Sequence, residues 1–154
     1  SEAGYAAMIE STTKLNTPGV ALSEMPGVHA LTDVTGFGLA GHLLEICRGS
    51  GLSAQIDFSE IPVLEEALEW VKQGVATGAS DRNWKGYGQD VSLPDGAPEW
   101  QRKLLTDPQT SGGLLVACAP DEERAVLAEF QKRGFAEARR IGRLAAGPAR
   151  LTVT

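Results

Sequence analysis

Apolar positions along the chain switch several times between helical and strand spacing. From Ser1 to Leu15, Tyr5, Met8 and Ile9 stand at helical spacing among alanines, and Pro18-Gly19 predicts the end of that helix. Val28 to Val34 predicts a short buried strand. Thr35 is placed to cap a helix over Gly36 to Arg48, with Phe37, Leu39, Ala40, Leu43, Leu44, Ile46 and Cys47 as a wide apolar stripe and Gly49 and Gly51 as stops. Leu52 to Phe58 alternates as a strand does, with Ala54, Ile56 and Phe58 on one face. Leu64 to Gln73 carries Leu64, Leu68 and Val71 on one side of a helix.

Then the periodicity fades. Ala76 to Pro98 is rich in Gly, Asp, Asn and Ser, and reads as a long loop, the kind that serves as a lid or binding segment. Glu99 to Leu105 predicts a short helix, Asp107 to Gly113 a turn, and Leu114 to Ala119 an apolar strand. Pro120, followed by Asp121, Glu122 and Glu123, opens a helix to Arg133 with Val126, Leu127 and Phe130 on its core face. Ala138 to Leu144 and Ala149 to Val153 are the last predicted strands. The sum is an α/β (α+β) chain, a mixed β-sheet layered with helices.

At 154 residues and 42% hydrophobic, the chain has the material for one core. A net charge of −6 with scattered Lys and Arg argues against a nucleic-acid partner, which calls for a basic face. No apolar run approaches the roughly 18 residues of a membrane span, and no signal peptide opens the chain, so a cytoplasmic location is expected. Cys47 and Cys118 have no zinc spacing and read as buried free thiols; His29 and His42 are too few for a histidine metal site. The opening Ser-Glu-Ala-Gly-Tyr, helical from its start, is expected of a piece of a longer chain.

Two strings can carry chemistry. Thr32-Asp33-Val34-Thr35-Gly36-Phe37-Gly38-Leu39-Ala40-Gly41 runs from a strand end through a glycine-rich turn into a helix. Amide groups at such a turn attract phosphate, glycine admits close approach, and Asp33 is a hard oxygen ligand suited to Mg²⁺. It is neither a Walker A loop, having no lysine after the glycines, nor a GxGxxG fingerprint. The plainer reading is that the glycines serve helix packing and Asp33 is a surface acid. The second string, Asp107-Pro108-Gln109-Thr110-Ser111-Gly112-Gly113, is composed of ordinary turn residues, and needs a ligand or partner to be more than a turn. His42 reads as a satisfied core or boundary histidine, and Trp70 and Trp100 as packing residues. Arg82, Asn83 and Lys85 are within the expected loop, where solvated side chains are the default and anion contact the alternative.

Asp33-Val34-Thr35-Gly36-Phe37-Gly38-Leu39 and Gly41-His42-Leu43, followed by Asp107 to Leu114, resemble the C-terminal half of the selenophosphate synthetase (selenide, water dikinase) family. Ala79-Ser80, Arg82, Asn83 and Leu15-Asn16 extend the resemblance to nearly the whole chain. It implies an aminoimidazole-ribotide-synthetase-like C-terminal domain over residues 18–154, preceded by an interdomain helix over 1–17. It implies an enzyme making selenophosphate, AMP and phosphate from ATP, selenide and water, with magnesium on the polyphosphate. The catalytic cysteine or selenocysteine and its lysine would belong to an N-terminal domain outside this sequence, so the chain alone is expected to be inactive. By the resemblance Asp33 is a magnesium ligand, and Thr35, Gly36, Thr110, Ser111 and Gly112 lie near the nucleotide at the interdomain cleft. The expected partners are the N-terminal domain and, at full length, a second copy. Another ATP enzyme of the same superfamily, in hydrogenase maturation or purine synthesis, and a non-catalytic binding module are the alternatives.

Overall fold

The structure, a computed structural model, describes residues 2–154. In chain order, the elements are α1 (Glu2–Thr13), α2 (Pro18–Ser23), β1 (Val28–Asp33), α3 (Gly38–Ser50), β2 (Leu52–Ile56), α4 (Glu65–Lys72), α5 (Gly78–Tyr87), β3 (Val91–Ser92), α6 (Glu99–Thr106), β4 (Leu114–Cys118), α7 (Glu123–Lys132), β5 (Gly142–Ala146) and β6 (Leu151–Val153). Single 3₁₀ turns lie at Phe58–Glu60, Gly88–Asp90 and Pro120–Glu122.

The strands form two sheets where one was expected. β1 and β4 make an antiparallel pair, with Asp33 opposite Leu114 at its end. The other sheet has the order β3-β6-β2-β5, with β2 antiparallel to β5 and parallel to β6. Helix α3 packs its apolar stripe into a core with both sheets. Ala40, Leu44 and Cys47 are fully buried there, with Ile56 of β2, Leu151 of β6, Leu105 of α6 and Leu115 of β4. Burying a leucine this completely contributes roughly 1.5–3 kcal/mol. Strand alternation divides β4 between two environments. Leu115 faces that core, while Leu114 and Val116 face a second cluster built on Leu22, Val126 and Phe130.

Several boundaries differ from the sequence reading for physical reasons. Pro18 opens α2 rather than ending α1, because proline is tolerated at a first helical position. Pro120 likewise opens a 3₁₀ turn, and the α-helix begins at Glu123. The expected strand over Ala138 to Leu144 forms later, at Gly142–Ala146. The largest difference is the expected loop, which holds α5, a 3₁₀ turn and β3. Helix α5 buries Ser80 and Tyr87 and is N-capped by Thr77, whose hydroxyl accepts from the Ser80 amide at 3.4 Å. Its inner face mixes Trp84 and Tyr87, which pack on the core, with the polar Ser80 and Asn83, so apolar periodicity does not reveal it. Cys47 is buried and Cys118 partly so, and both are free thiols. Trp100 packs edge-on against Phe58, but Trp70 is about half exposed, contrary to the expectation of packing. Among the described residues, no helix is long and apolar enough to cross a membrane.

Candidate functional site

The two strings singled out in the sequence meet. The first leaves the end of β1 and the second enters the start of β4, so the ladder places both turns at one end. They are stitched by backbone bonds. The Val34 amide donates to the Gly113 carbonyl at 2.9 Å, and the Gln109 amide donates to the Thr35 carbonyl at 3.0 Å. Asp33 stands exposed at the strand end, and its carboxylate has no protein partner among the described residues.

The turn after Asp33 is not closed by Thr35 acting as a helix cap. Phe37 occupies the cap position of α3 with no side-chain cap bond, and the helix begins at Gly38. Gly38 has φ +68°, and a Cβ there would lie 2.7 Å from the Thr106 carbonyl carbon. Glycine is therefore required, both for the left-handed conformation and for the close passage of α6. Thr35 is instead tied to His42, one turn into α3. The Thr35 amide donates to His42 Nε2 at 3.0 Å, so this ring nitrogen is the unprotonated one. His42 is buried as expected but only half satisfied. Its Nδ1 has no hydrogen-bond partner, and the nearest charged group is the Glu45 carboxylate at 3.5 Å.

Helix α5 supplies two further braces. Asn83 Nδ2 donates to the Gly36 and Thr106 carbonyls, each at 2.9 Å. The Tyr87 hydroxyl donates to the Phe37 carbonyl at 2.5 Å, and burial pushes its pKa up to about 12. In the sequence, Asn83 reads as a loop residue with anion contact as the alternative, and Tyr87 carries no sign of a bracing role. Two polar residues in a weakly periodic segment were the available signal. Arg82 and Lys85, on the same helix, are exposed.

The second turn is held from both sides. Asn16 donates to the Gly112 carbonyl at 2.8 Å, and Thr77 donates to the Asp107 carboxylate at 3.0 Å. Thr110 and Ser111 are exposed, and Ser111 is the one described non-glycine residue with positive φ, at 53°. Gly112 is buried against Val34 and packs between the two turns. Gly36 is exposed, with open space where a Cβ would stand.

The arrangement presents one unpaired carboxylate, two exposed side-chain hydroxyls and a braced turn. The Gly36 and Phe37 amides of that turn have no acceptor among the described residues. Such a surface suits a phosphate-bearing ligand with a hard cation. Among the described residues, no group of three or more His, Cys, Asp or Glu side chains is clustered to hold a metal. Asp33 can thus supply one oxygen ligand, which fits Mg²⁺ held largely by phosphate oxygens and water.

Residues 9–153 match the family described as AIR synthase related protein, C-terminal domain. The chain belongs to that family. Among curated relatives, it is 58% identical over 151 residues to the selenide, water dikinase of Burkholderia pseudomallei, covering 98% of this chain and 43% of that protein. It is 54% identical over 149 residues to the protein of the same name from Rhizobium meliloti, covering 97% of this chain and 43% of that protein. The chain thus spans less than half the length of these relatives. Among solved structures, hydrogenase maturation protein HypE superimposes with a TM-score of 0.54 at 20% identity, over 85% of this chain and 35% of that one. Thiamine-monophosphate kinase from Stenotrophomonas maltophilia gives 0.52 at 19% identity, over 82% of this chain and 31% of that one. These two likenesses show a fold shared with this chain.

Proposed function

We propose that this chain is the C-terminal domain of a selenide, water dikinase, which converts ATP, selenide and water to selenophosphate, AMP and phosphate. The observation that carries the reading is the identity of 54–58% along nearly the whole chain to proteins of that name. The AIR-synthase-like structures stand at 19–20%, so they do not favour a hydrogenase-maturation or thiamine activity over this one.

In this reading, the joined turns are one wall of an interdomain cleft, and residues 1–17 lead to it from an N-terminal domain. Asp33 supplies an oxygen to Mg²⁺, and Thr35, Gly36, Thr110, Ser111 and Gly112 border the nucleotide. The metal, when bound, neutralises phosphate charge as the phosphoryl group moves. The chain's own contribution is positional: Gly112 locks the two turns together, and His42, Asn83 and Tyr87 hold the turn after Asp33 in shape.

The full-length protein, with Asp33→Asn, provides the test. Selenide-dependent AMP release should fall roughly 10- to 100-fold and require more Mg²⁺, as expected for a lost metal contact, with unchanged thermal unfolding. Unchanged activity would remove Asp33 from the site. The isolated 154-residue chain should release no AMP, because one carboxylate and a turn cannot hold Mg–ATP against water.

A further inference from the structure

We infer that Asn83 is a positioning residue for the nucleotide site: it sets the direction in which the Phe37 amide is offered to phosphate. The inference rests on the reading of the site as an Mg–ATP wall. It starts from the turn's carbonyls. Thr35 O accepts from the Gly38 and Gln109 amides at 3.1 and 3.0 Å. Gly36 O accepts from Asn83 at 2.9 Å, and Phe37 O accepts from the Tyr87 hydroxyl. Every carbonyl of residues 35–37 is thus engaged by the protein, whereas the Gly36 and Phe37 amides have no acceptor among the described residues.

Peptide planarity turns this asymmetry into a direction. The chain has no cis peptide bond, and in a trans peptide the N–H points opposite to the C=O before it. Anchoring Gly36 O on Asn83 therefore fixes the Phe37 N–H to point away from α5. Of the hydrogen bonds that brace the turn, this one is made to that peptide itself. Gly36 is the most permissive residue type, and its surroundings are open. Without the anchor, that peptide is held only through the Gly38–Thr35 turn bond and the backbone of Phe37, and the Phe37 N–H is less sharply aimed.

Asn83 is suited to the task. Both of its acceptors are carbonyl oxygens, so the NH₂ group, not the oxygen, must occupy that place, and one hydrogen goes to each. Since the second acceptor is Thr106 O, the anchor is tied to α6, whose inner side is fixed by the buried Ser80–Thr106 hydroxyl pair at 2.6 Å. The turn is therefore set before any ligand arrives, which lowers the cost of ordering on binding.

The test uses the full-length protein with Asn83→Leu, which keeps the branched outline, adds no charge and removes both donors. The KM for Mg–ATP should rise about tenfold or more, with kcat within about twofold and little change in unfolding temperature. A merely structural role would lower activity in step with the folded fraction and leave KM alone; that result, or unchanged kinetics, would overturn the inference. Should the variant not fold, hydrogen exchange on the unsubstituted full-length protein decides. The segment over residues 33–39 should slow on adding Mg–ATP, and unaltered exchange would overturn the inference. Asp33→Asn, run in parallel, separates the two ideas. A changed Mg²⁺ requirement with normal Asn83→Leu kinetics sinks the positioning role alone. If neither variant has any effect, the reading of the site falls as well.

Discussion

Gly112 lies so close beneath Val34 that a Cβ added to it would stand 1.8 Å from the Val34 carbonyl oxygen. Backbone, not a flexible side-chain end, is the obstacle, so the clash cannot be relieved by a rotamer change. Gly112→Ala must push the two turns apart. Overpacking typically costs about 1–3 kcal/mol, and the upper part of that range is expected here. Urea unfolding of the variant measures the loss. A variant as stable as the parent would mean that the turns are not in contact as described.

The buried hydroxyl pair offers a second measurement. Ser80 and Thr106 are both fully buried, 2.6 Å apart, and also reach the Lys103 and Arg102 carbonyls. Thr106→Val keeps the shape and removes one hydroxyl. The expected loss is about 1–3 kcal/mol, because partners are left unsatisfied in a dry site. A shift of the urea midpoint with an unchanged slope would confirm it; no shift would count against the pair.

Tyr87 makes a prediction at alkaline pH. Its folded pKa is raised from 10.0 to about 12, chiefly by burial. A group raised on folding contributes stability that is complete below the unfolded value and is lost as pH climbs through the folded one. Stability should therefore decline between pH 10 and 12 as the tyrosine ionises. Tyr87→Phe should be less stable by about 1 kcal/mol at neutral pH, for the lost bond to Phe37 O, and show a shallower alkaline decline. Denaturation midpoints of both proteins across that range test the sign.

Asp81 makes the opposite prediction at acid pH. Arg102, hydrogen-bonded to it at 2.9 Å, holds its carboxyl below the ordinary 3.8, with Lys103 adding to the effect. A group lowered on folding contributes stability that is present above the unfolded value and lost as pH falls through the folded one. Asp81→Asn should flatten the fall in stability below about pH 4. The Asp81 carboxylate is about half exposed, although Arg102 is largely covered, so the effect should shrink in molar salt.

Much of this fold was legible because apolar spacing reports burial. Leu43, Leu44 and Cys47 mark α3, and Val126 and Phe130 mark α7, and both helices form where those residues stand. Asp33 at the end of a strand was readable from the apolar run before it and the glycines after it. The braces were not. Helix α5 has Ser80 and Asn83 where an apolar stripe would carry larger residues, and their partners are 23 or more residues away in sequence. A hydrogen bond to a distant carbonyl leaves no periodic trace. Thr35 was misassigned as a cap for a related reason. Its position before glycines is that of a cap, but the left-handed Gly38 delays the helix, and the Thr35 amide turns to His42. The division into two sheets is equally invisible locally, since pairing joins residues far apart in sequence, such as Ala54 and Leu151.

The β1–β4 ladder has a consequence for the order in which the molecule is made. β1 is complete at Asp33, but its partner ends at Cys118. At synthesis rates of about 5–20 residues per second, the earlier strand waits several seconds for the later one. Closing so long a loop costs entropy that only the finished ladder and the core around Leu115 return. Until then, the Asp33 turn lacks its bonds to Gly113 and Gln109, so the proposed metal ligand is synthesised well before the residues that fix it in place.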